Sequence, residues 1–230
     1  MNNVIVSCEH GGYKVPEEME HILSACETIL KSHEGYDLGA LDIANYMALH
    51  LNAHLFINTW TRLAIDVNRS RNNPSRFSRF SAGLSKAQRT ILECKYYDPY
   101  RQTLQNAIME ALLKQKPIFH FSVHTFVPVL HGKRRTADIG ILYDPVRQCE
   151  KHFAIALKEK LVQGSMKKKI KFNYPYYGTS DGIASFMRKE CNSNEYVGIE
   201  LEINQSLCEK TDIKNICAYE IVSSLKELLK

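Results

Sequence analysis

The amino-acid sequence predicts a three-layer α/β/α sandwich built on a mostly parallel mixed sheet. Of its 230 residues, 44% are hydrophobic and 24% are charged, a composition that can fill a hydrophobic core. Short apolar runs typical of buried strands alternate along the chain with stretches typical of helices. Such alternation favours a parallel sheet that carries helices on both faces. No linker rich in Pro, Gly or Ser divides the chain, so we expect a single domain over residues 1–230.

Side-chain periodicity predicts the elements of the first half in order. Residues 3–7 (NVIVS) form a β-branched apolar run that stops at Glu9-His10-Gly11-Gly12, the pattern of a buried strand that ends in a loop. Residues 38–51 repeat apolar side chains at helical spacing, which predicts an amphipathic helix. Short strands should follow at residues 54–58 and 63–67. Residues 86–114 form a long helical stretch that should bend near Asp98-Pro99, because proline interrupts a helix.

The second half continues the alternation of strands and helices. Residues 117–124 (PIFHFSVH) predict a buried strand whose last residue is a histidine. Residues 196–203 (YVGIELEI) predict another strand, and its alternating side chains place Glu200 and Glu202 on one face. The remaining predicted elements are a helix at 147–162, a strand at 169–173, the start of a helix at 183–189 and a closing helix at 212–229.

Charge and composition argue against several classes of protein. The net charge is +5, yet Lys and Arg are dispersed and the lysine run at 167–169 is typical of a solvated loop, so no nucleic-acid partner is expected. No stretch approaches the roughly 20 apolar residues that span a bilayer, so no membrane partner is expected. The chain begins without the pattern of a secretory signal, which favours a cytoplasmic protein. Seven scattered cysteines without a CxxC pair indicate reduced thiols, and the oligomeric state is left open.

Two histidines at predicted strand ends indicate where a site lies. Ligands of parallel sheets bind beyond the carboxyl ends of the strands, which is where His10 and His124 are placed. Each histidine alone is as well explained by a backbone hydrogen bond in a loop. Together they make a metal plausible, because a catalytic zinc commonly takes two histidines and a carboxylate and leaves a position open for water.

The third ligand should be a carboxylate from a nearby loop, and residues 33–37 (HEGYD) supply candidates. Asp37 directly precedes a predicted helix, where it could equally serve as the N-cap. The spacing alone favours the cap over the ligand.

Arginines flank the predicted strand ends and suggest an anion pocket. Arg62 and Arg69 could both donate to a substrate carboxylate, which a planar guanidinium binds well. A surface ion-pair network with Asp66 explains the same pattern equally well. Arg134 and Arg135 follow His124, and one of them could complete the pocket.

Glu200 and Glu202 should face a polar site, because a carboxylate on a buried strand is costly unless it is paired or ligated. A glutamate beside an activated water can act as general base. Glu202 lies nearer the carboxyl end of the strand and is the favoured base, with Glu200 as its neighbour.

The motifs SCEHGG (7–12), HEGYDLGAL (33–41), TRLAIDVNRSR (61–71), HTFVPVLHGKRRTADIGILYDP (124–145), NYPYYGTSDGI (173–183) and YVGIELEINQ (196–205) occur in an order that resembles the N-formylglutamate amidohydrolase family. The resemblance covers about residues 4–207. It implies a phosphorylase/hydrolase-like fold similar to that of the zinc carboxypeptidases, and hydrolysis of N-formylglutamate to formate and glutamate.

The resemblance also implies roles for individual residues. His10, His124 and Asp37, with Glu34 as the fallback, would bind one zinc ion, and Glu202 would be the general base. Arg69 or Arg135 would stabilise the oxyanion. The residues expected to hold a small acidic N-acyl amino acid are Arg62, Asn68, Arg69, Arg134 and Tyr177.

Two departures indicate a divergent branch of the family, whose substrate need not be N-formylglutamate itself. Tyr13 stands three residues after His10, where the carboxypeptidases have a glutamate ligand, and residues 72–81 (NNPSRFSRFS) are unlike the histidine-degrading enzymes. Three alternatives remain: a metal-free binding module for an acidic metabolite, a phosphate-ester hydrolase, and a mechanism that uses Cys8 as nucleophile.

Overall fold

A six-stranded sheet forms the centre of the computed structural model, which describes residues 3–114, 117–165 and 167–230. Its strands are β1 (Val4–Cys8), β2 (His54–Ile57), β3 (Ile118–Phe126), β6 (Ile139–Leu142), β7 (Ile170–Phe172) and β8 (Tyr196–Asn204). A separate two-stranded ribbon pairs β4 (Val129–Leu130) with β5 (Lys133–Arg134). The strand order is β2-β1-β3-β8-β6-β7, and only the β6–β8 pair of this sheet is antiparallel within the described chain. The predicted mostly parallel mixed sheet is therefore confirmed.

Helices cover both faces of this sheet. They are α1 (Glu20–Leu23), α2 (Glu27–Leu30), α3 (Ala40–Leu51), α4 (Lys86–Leu92), α5 (Asp98–Lys114), α6 (Gln148–Val162), α7 (Ile183–Glu190) and α8 (Thr211–Leu228). The main core lies between the sheet and α3, α6 and α8, whereas α5 and α7 pack on the opposite face. This arrangement confirms the three layers. Of the helices described, none is both long and apolar enough to cross a membrane.

The two central strands, β3 and β8, separate apolar from polar side chains. Phe121, Val123 and Leu201 belong to the main core under α3, α6 and α8. Because successive side chains point to opposite faces, the alternate positions of both strands face the α5/α7 side. Those positions include His124 and Glu202, which are direct neighbours in the β3–β8 ladder. The sheet therefore presents its polar side chains on one face, near the carboxyl ends of its strands.

The strand predicted at residues 63–67 is wrong. This segment is a series of turns that pairs with no strand of the described chain. Its side chains are buried because Leu63 and Ile65 pack in a second cluster with Leu23 and Leu92. A short apolar run is equally consistent with burial under a loop, so periodicity could not separate the two structures.

The long helical stretch is interrupted near Asp98-Pro99, as predicted, by a π-helical turn at Glu93–Tyr97. One further element differs from the sequence prediction. Strand β6 was not predicted, because it is short and contains Gly140. Glycine is required at position 140 because the main chain at Tyr174 packs directly against it. A Cβ there would lie 1.7 Å from the Tyr174 carbonyl oxygen.

A buried ion pair joins α6 to α7 and β8. Arg188 Nε donates to both carboxylate oxygens of Glu150, at 2.9 and 3.0 Å, and its Nη2 donates to the Gly198 carbonyl at 2.9 Å. Its Nη1 donates to the carbonyl of Gly178, in the loop that follows β7. Glu150 also accepts from the Gly198 and Asp144 amides. This network fixes a loop that borders the cavity described below.

We expect Arg188→Met to reduce the free energy of unfolding by about 1.5–3 kcal/mol, because it removes the guanidinium that donates to both oxygens of the buried Glu150 and leaves Arg147, whose Nε lies 3.4 Å from Oε1, as the remaining cation. Urea unfolding of wild type and variant measures the difference. Lys189→Met, an exposed position on the same helix, is the matched control and should change stability by less than about 0.5 kcal/mol. Equal stability of the two variants would contradict this account of the ion pair.

Candidate metal centre and hydrolase site

A cavity of about 230 Å³ lies at the carboxyl ends of β1, β3 and β8. The predicted site residues that line it are His10, Asp37, Arg62, Asn68, Arg69, His124, Arg135, Tyr177 and Glu202. Arg134 lies outside the lining, exposed on β5. Nearly all the predicted residues therefore lie together beyond the carboxyl ends of the parallel strands, which is where ligands of such sheets usually bind.

His10, Asp37 and His124 form a compact buried cluster, with one potential ligand atom of each within 4.8 Å of the others. Asp37 Oδ2 lies 2.9 Å from His124 Nδ1 and 3.5 Å from His10 Nδ1. The two imidazole rings are 5.1 Å apart. The main chain after β1 makes room for this arrangement at Gly12, where a Cβ would lie 2.6 Å from the Thr59 carbonyl oxygen.

Asp66 fixes the orientation of His10. Asp66 Oδ1 lies 2.7 Å from His10 Nε2 and accepts a second hydrogen bond from the Asn68 amide at 2.9 Å. Burial opposes ionisation of Asp66, but His10 and Arg62 outweigh it and hold the pKa of this carboxyl below its usual range. An ionised Asp66 requires a proton on His10 Nε2, so the lone pair of neutral His10 lies on Nδ1. That nitrogen is buried and has no hydrogen-bond partner within the described residues.

Ser122 and Glu9 fix His124 in the same way. Ser122 Oγ donates to Glu9 Oε2 at 2.7 Å and lies 2.9 Å from His124 Nε2, so it must accept the proton of that nitrogen. Glu9 Oε2 itself is 3.3 Å from His124 Nε2. Burial disfavours the charged form, but Asp37 and Glu9 raise the pKa of His124 well above its usual value. The Nδ1 atoms of both histidines therefore face one carboxylate oxygen.

This donor set fits a metal ion such as zinc. Two imidazole Nδ1 atoms and a carboxylate oxygen are ligands that zinc commonly takes. The outer nitrogen of each histidine is held by a carboxylate or hydroxyl, as in known metal sites. The unpartnered Nδ1 of His10 faces the same point as the other two ligand atoms.

The alternative role of Asp37 as a helix cap is wrong. Helix α3 has Gly39 at its N-cap, without a side-chain hydrogen bond, and the Asp37 carboxylate instead faces the histidines. Its other oxygen accepts from Arg62 Nη2. Burial favours the neutral acid, but Arg62 and the histidines hold the pKa of Asp37 well below its usual range. Glu34, the fallback ligand, pairs with Arg79 and does not line the cavity.

Two of the predicted substrate-binding arginines, and Asn68, already form hydrogen bonds or ion pairs with other groups of the protein. Arg62 donates to Asp37, and Arg69 Nη1 donates to the Asp181 carbonyl at 2.6 Å while its Nε lies 3.8 Å from Asp66 Oδ2. The Asn68 side-chain oxygen accepts from the Ile183 amide at 2.8 Å.

Arg135 is different, because it has no carboxylate partner in the parts of the chain that the structure describes. Its guanidinium lies 5.5 Å from the Phe126 ring and 5.2 Å from the Tyr176 ring, and Nη2 donates to the Tyr176 hydroxyl at 3.0 Å. Tyr177, with 73% of its surface exposed, lines the same cavity. This mouth of the cavity therefore offers a positive charge to a ligand.

Glu202 and Glu200 form the opposite, acidic wall. Glu202 is 6% exposed, and its Oε2 lacks a hydrogen-bond partner among the described groups. Burial raises the pKa of Glu202 to about 8, with Asp37 and Glu200 adding negative charge that His124 and Arg62 only partly offset. Burial also raises the pKa of Glu200. A carboxyl held in this state can exchange a proton near neutral pH.

Sequence reasoning missed Glu9 as a partner of His124. Glu9 directly precedes His10 and is fully buried, which requires donors for its carboxylate. The donor Ser122 is far from Glu9 in the sequence, so the contact could not be predicted from local pattern. It forms because β1 and β3 are neighbouring strands. Cys8 is also fully buried, and burial raises its thiol pKa well above the usual value, with Glu9 and Asp37 adding to the effect. These properties argue against Cys8 as a nucleophile.

Comparison with known proteins agrees with this architecture. The crystal structure of gene product Atu2144 from Agrobacterium tumefaciens is 23% identical and aligns over 100% of this chain and 92% of that one, with a TM-score of 0.83. N-formylglutamate amidohydrolase from Ralstonia eutropha JMP134 is 14% identical, with coverage of 99% and 94% and a TM-score of 0.66. At these identities the likeness establishes the fold alone. No curated protein gives a significant match.

The family model described as N-formylglutamate amidohydrolase matches residues 2–208. The match covers every described strand and every residue of the candidate site, and it leaves out residue 1 and residues 209–230, which include α8. It confirms the resemblance inferred from the six motifs. The chain belongs to the N-formylglutamate amidohydrolase family.

Proposed function

We propose that this protein hydrolyses the amide bond of a small N-acyl acidic amino acid with the help of one zinc ion. The observation that carries the proposal is the convergence of His10 Nδ1, His124 Nδ1 and Asp37 Oδ2 in a cavity that also contains Glu202 and Arg135. Membership of an amidohydrolase family supports cleavage of an amide bond. N-formylglutamate, after which the family is named, is the first substrate to test.

His10, Asp37 and His124 would hold the metal. When bound, zinc would supply Lewis acidity to the acyl carbonyl and to water. The chain prepares this site, because Asp66 and Glu9 favour a proton on Nε2 of each histidine and direct both Nδ1 atoms at Asp37; a bound metal would replace the proton that His124 Nδ1 donates to Asp37. Arg62 keeps the Asp37 carboxylate ionised and aimed at the histidines.

Glu202 is the proposed general base. It accepts a proton from the water that attacks the acyl carbon, and it passes that proton to the nitrogen as the C–N bond breaks. The products are a carboxylic acid and a free amine. Positive charge at the cluster would lower the Glu202 pKa from about 8 and so favour the ionised base at neutral pH.

The substrate carboxylate is assigned to Arg135, because Arg62 and Asn68 are used by protein groups. Arg69 lies beside Asp66, close to the cluster, and remains 39% exposed at its side chain. This placement supports a role for Arg69 in stabilising the oxyanion. Tyr177 closes the mouth beside Arg135, whereas the exposed Arg134 has no role in the proposal.

The first prediction concerns metal content. Wild-type protein purified without chelator or histidine tag should contain about one zinc per chain, because its donor set matches a catalytic zinc site. His10→Ala and His124→Ala should each lose it, and His152→Ala, an exposed position on α6, should retain it. Elemental analysis gives the result. Folded wild type that takes up no zinc when it is offered would favour a metal-free binding module.

Glu202→Gln should reduce kcat by at least about 100-fold while zinc remains bound, because the amide cannot accept the proton of the attacking water. Release of amine from N-formylglutamate and related N-acyl amino acids measures kcat. Glu159→Gln, an exposed position on α6, is the control and should behave as wild type. Full activity of Glu202→Gln would remove Glu202 from the mechanism and turn attention to Glu200.

Arg135→Gln should raise KM by about 10- to 100-fold with a smaller change in kcat, because a charge-assisted hydrogen bond to the substrate carboxylate contributes about 1.5–3 kcal/mol. Lys133→Gln, an exposed cation in the same ribbon, should leave KM unchanged. Steady-state kinetics with the best substrate of the panel distinguishes the two. A fall in kcat at constant KM would instead place Arg135 at the oxyanion.

A further inference from the structure

Asp181 stands where two loops of the cavity meet. Residues 68–73, which we name the arginine loop, carry Arg69, and residues 178–182, which we name the helix-entry loop, lead into α7. Both Arg69 and Asp181 line the cavity. A contact between the two loops therefore bears directly on a side chain of the proposed site.

Asp181 accepts three hydrogen bonds from the arginine loop. Its carboxylate oxygen Oδ2 accepts from the Ser70 amide at 3.0 Å and from Asn73 Nδ2 at 2.6 Å. Its main-chain carbonyl accepts from Arg69 Nη1 at 2.6 Å. The side chain of Asp181 thus joins the two loops, and its main chain contacts the guanidinium.

The peptide group between Arg69 and Ser70 is held on both sides. Its oxygen, the Arg69 carbonyl, accepts from the Tyr97 hydroxyl at 2.8 Å and from Arg101 Nη1 at 3.3 Å. Its nitrogen, the Ser70 amide, donates to Asp181. The carboxylate is therefore one of the two attachments that fix the main chain of Arg69.

The guanidinium of Arg69 has one nitrogen left for a ligand. Nη1 donates to the Asp181 carbonyl, and Nε lies 3.8 Å from Asp66 Oδ2. Nη2 has no hydrogen-bond partner among the residues that the structure describes. Because a guanidinium is planar and rigid, the bond at Nη1 also sets where Nη2 lies.

We propose that Asp181 is a positioning residue for hydrolysis: its carboxylate fixes the helix-entry loop to the arginine loop, and its carbonyl then holds the Arg69 guanidinium at the oxyanion. This inference rests on the proposed function, which gives Arg69 that role. A displacement of about 1 Å in such a group can cost about 100-fold in rate.

The hydrogen bonds of Asp181 argue against a direct part in proton transfer. Burial opposes its ionisation, but the bonds from Ser70 and Asn73 hold the pKa of this carboxyl below its usual range. An ionised carboxylate has no proton to give to the leaving nitrogen. Orientation of Arg69 is the function that its contacts support.

Asp181→Ala and Asp181→Asn separate hydrogen bonding from charge. Both donors reach Oδ2, so an asparagine whose oxygen takes that position accepts both bonds, whereas alanine accepts neither. Ser185→Ala is the matched control, because Ser185 Oγ donates to two carbonyls of the helix-entry loop without touching Arg69. Asn73→Ser, which removes one donor, is a milder variant in case Asp181→Ala does not fold.

The principal readout is kcat for the best N-acyl amino acid, with zinc content and urea unfolding measured for each variant. We expect Asp181→Ala to lower kcat by about 10- to 100-fold with little change in KM or zinc content. Asp181→Asn should restore most of the rate, and Ser185→Ala should keep the wild-type kcat. The double variant Arg69→Ala/Asp181→Ala should be no slower than Arg69→Ala alone, because Asp181 acts through Arg69.

Four outcomes would overturn the inference and leave the proposed amide hydrolysis standing. They are a wild-type kcat in folded Asp181→Ala and Asn73→Ser, an asparagine variant as slow as the alanine variant, an equal loss in Ser185→Ala, and losses that add in the double variant. The last would show that Asp181 acts elsewhere than on Arg69.

Failure of the proposed function gives a different pattern. Wild type that cleaves an N-acyl amino acid while Arg69→Ala keeps its full kcat would remove Arg69 from the oxyanion, and this inference with it. Wild type that binds zinc but cleaves none of the N-acyl amino acids would overturn the proposed function and the inference together.

Discussion

Negative charge buried at the ends of parallel strands is the constraint on which the site depends. Glu9, Asp37 and Asp66 are each less than 9% exposed, and a buried carboxylate is costly unless donors or cations surround it. Histidines meet part of that demand: Nε2 of His10 pairs with Asp66, Nε2 of His124 lies near Glu9, and Nδ1 of both faces Asp37. The contacts that stabilise the acids therefore also direct the two Nδ1 atoms and one Asp37 oxygen to a common point.

The sheet topology delivers these groups together. Strands β1, β3 and β8 are adjacent and parallel, so their carboxyl ends open on the same edge. The antiparallel β6 then runs back along β8, and Gly140 in it lets the loop at Tyr174 approach the strand that carries Glu202. Glu202, the proposed base, is thereby buried beside the cluster, while the mouth near Arg135 stays open.

Much of this site could be predicted from the sequence, and the limits are physical. His10 and His124 follow from strand ends, and Glu202 follows from alternation, because both are local properties of β structure. Partner choice is not local. The sequence places Arg62 near the site but does not show that Asp37, 25 positions earlier, uses its guanidinium. The segment at 63–67 shows the same limit, since an apolar run records burial but not which element covers it.

The cavity separates charge along its depth, and this separation bears on how a substrate enters. Its buried end is rich in carboxylates, whereas its open end presents Arg135 between aromatic rings and the exposed Tyr177. Arg62 and Arg69 near the cluster are paired with Asp37 and Asp66, whereas Arg135 donates only to the Tyr176 hydroxyl, so the charged end of a carboxylate-bearing substrate should remain at the mouth. An N-acyl amino acid held in that way extends its uncharged acyl group inward, toward the histidines. The cation at the mouth thus favours the orientation that the proposed amide hydrolysis requires.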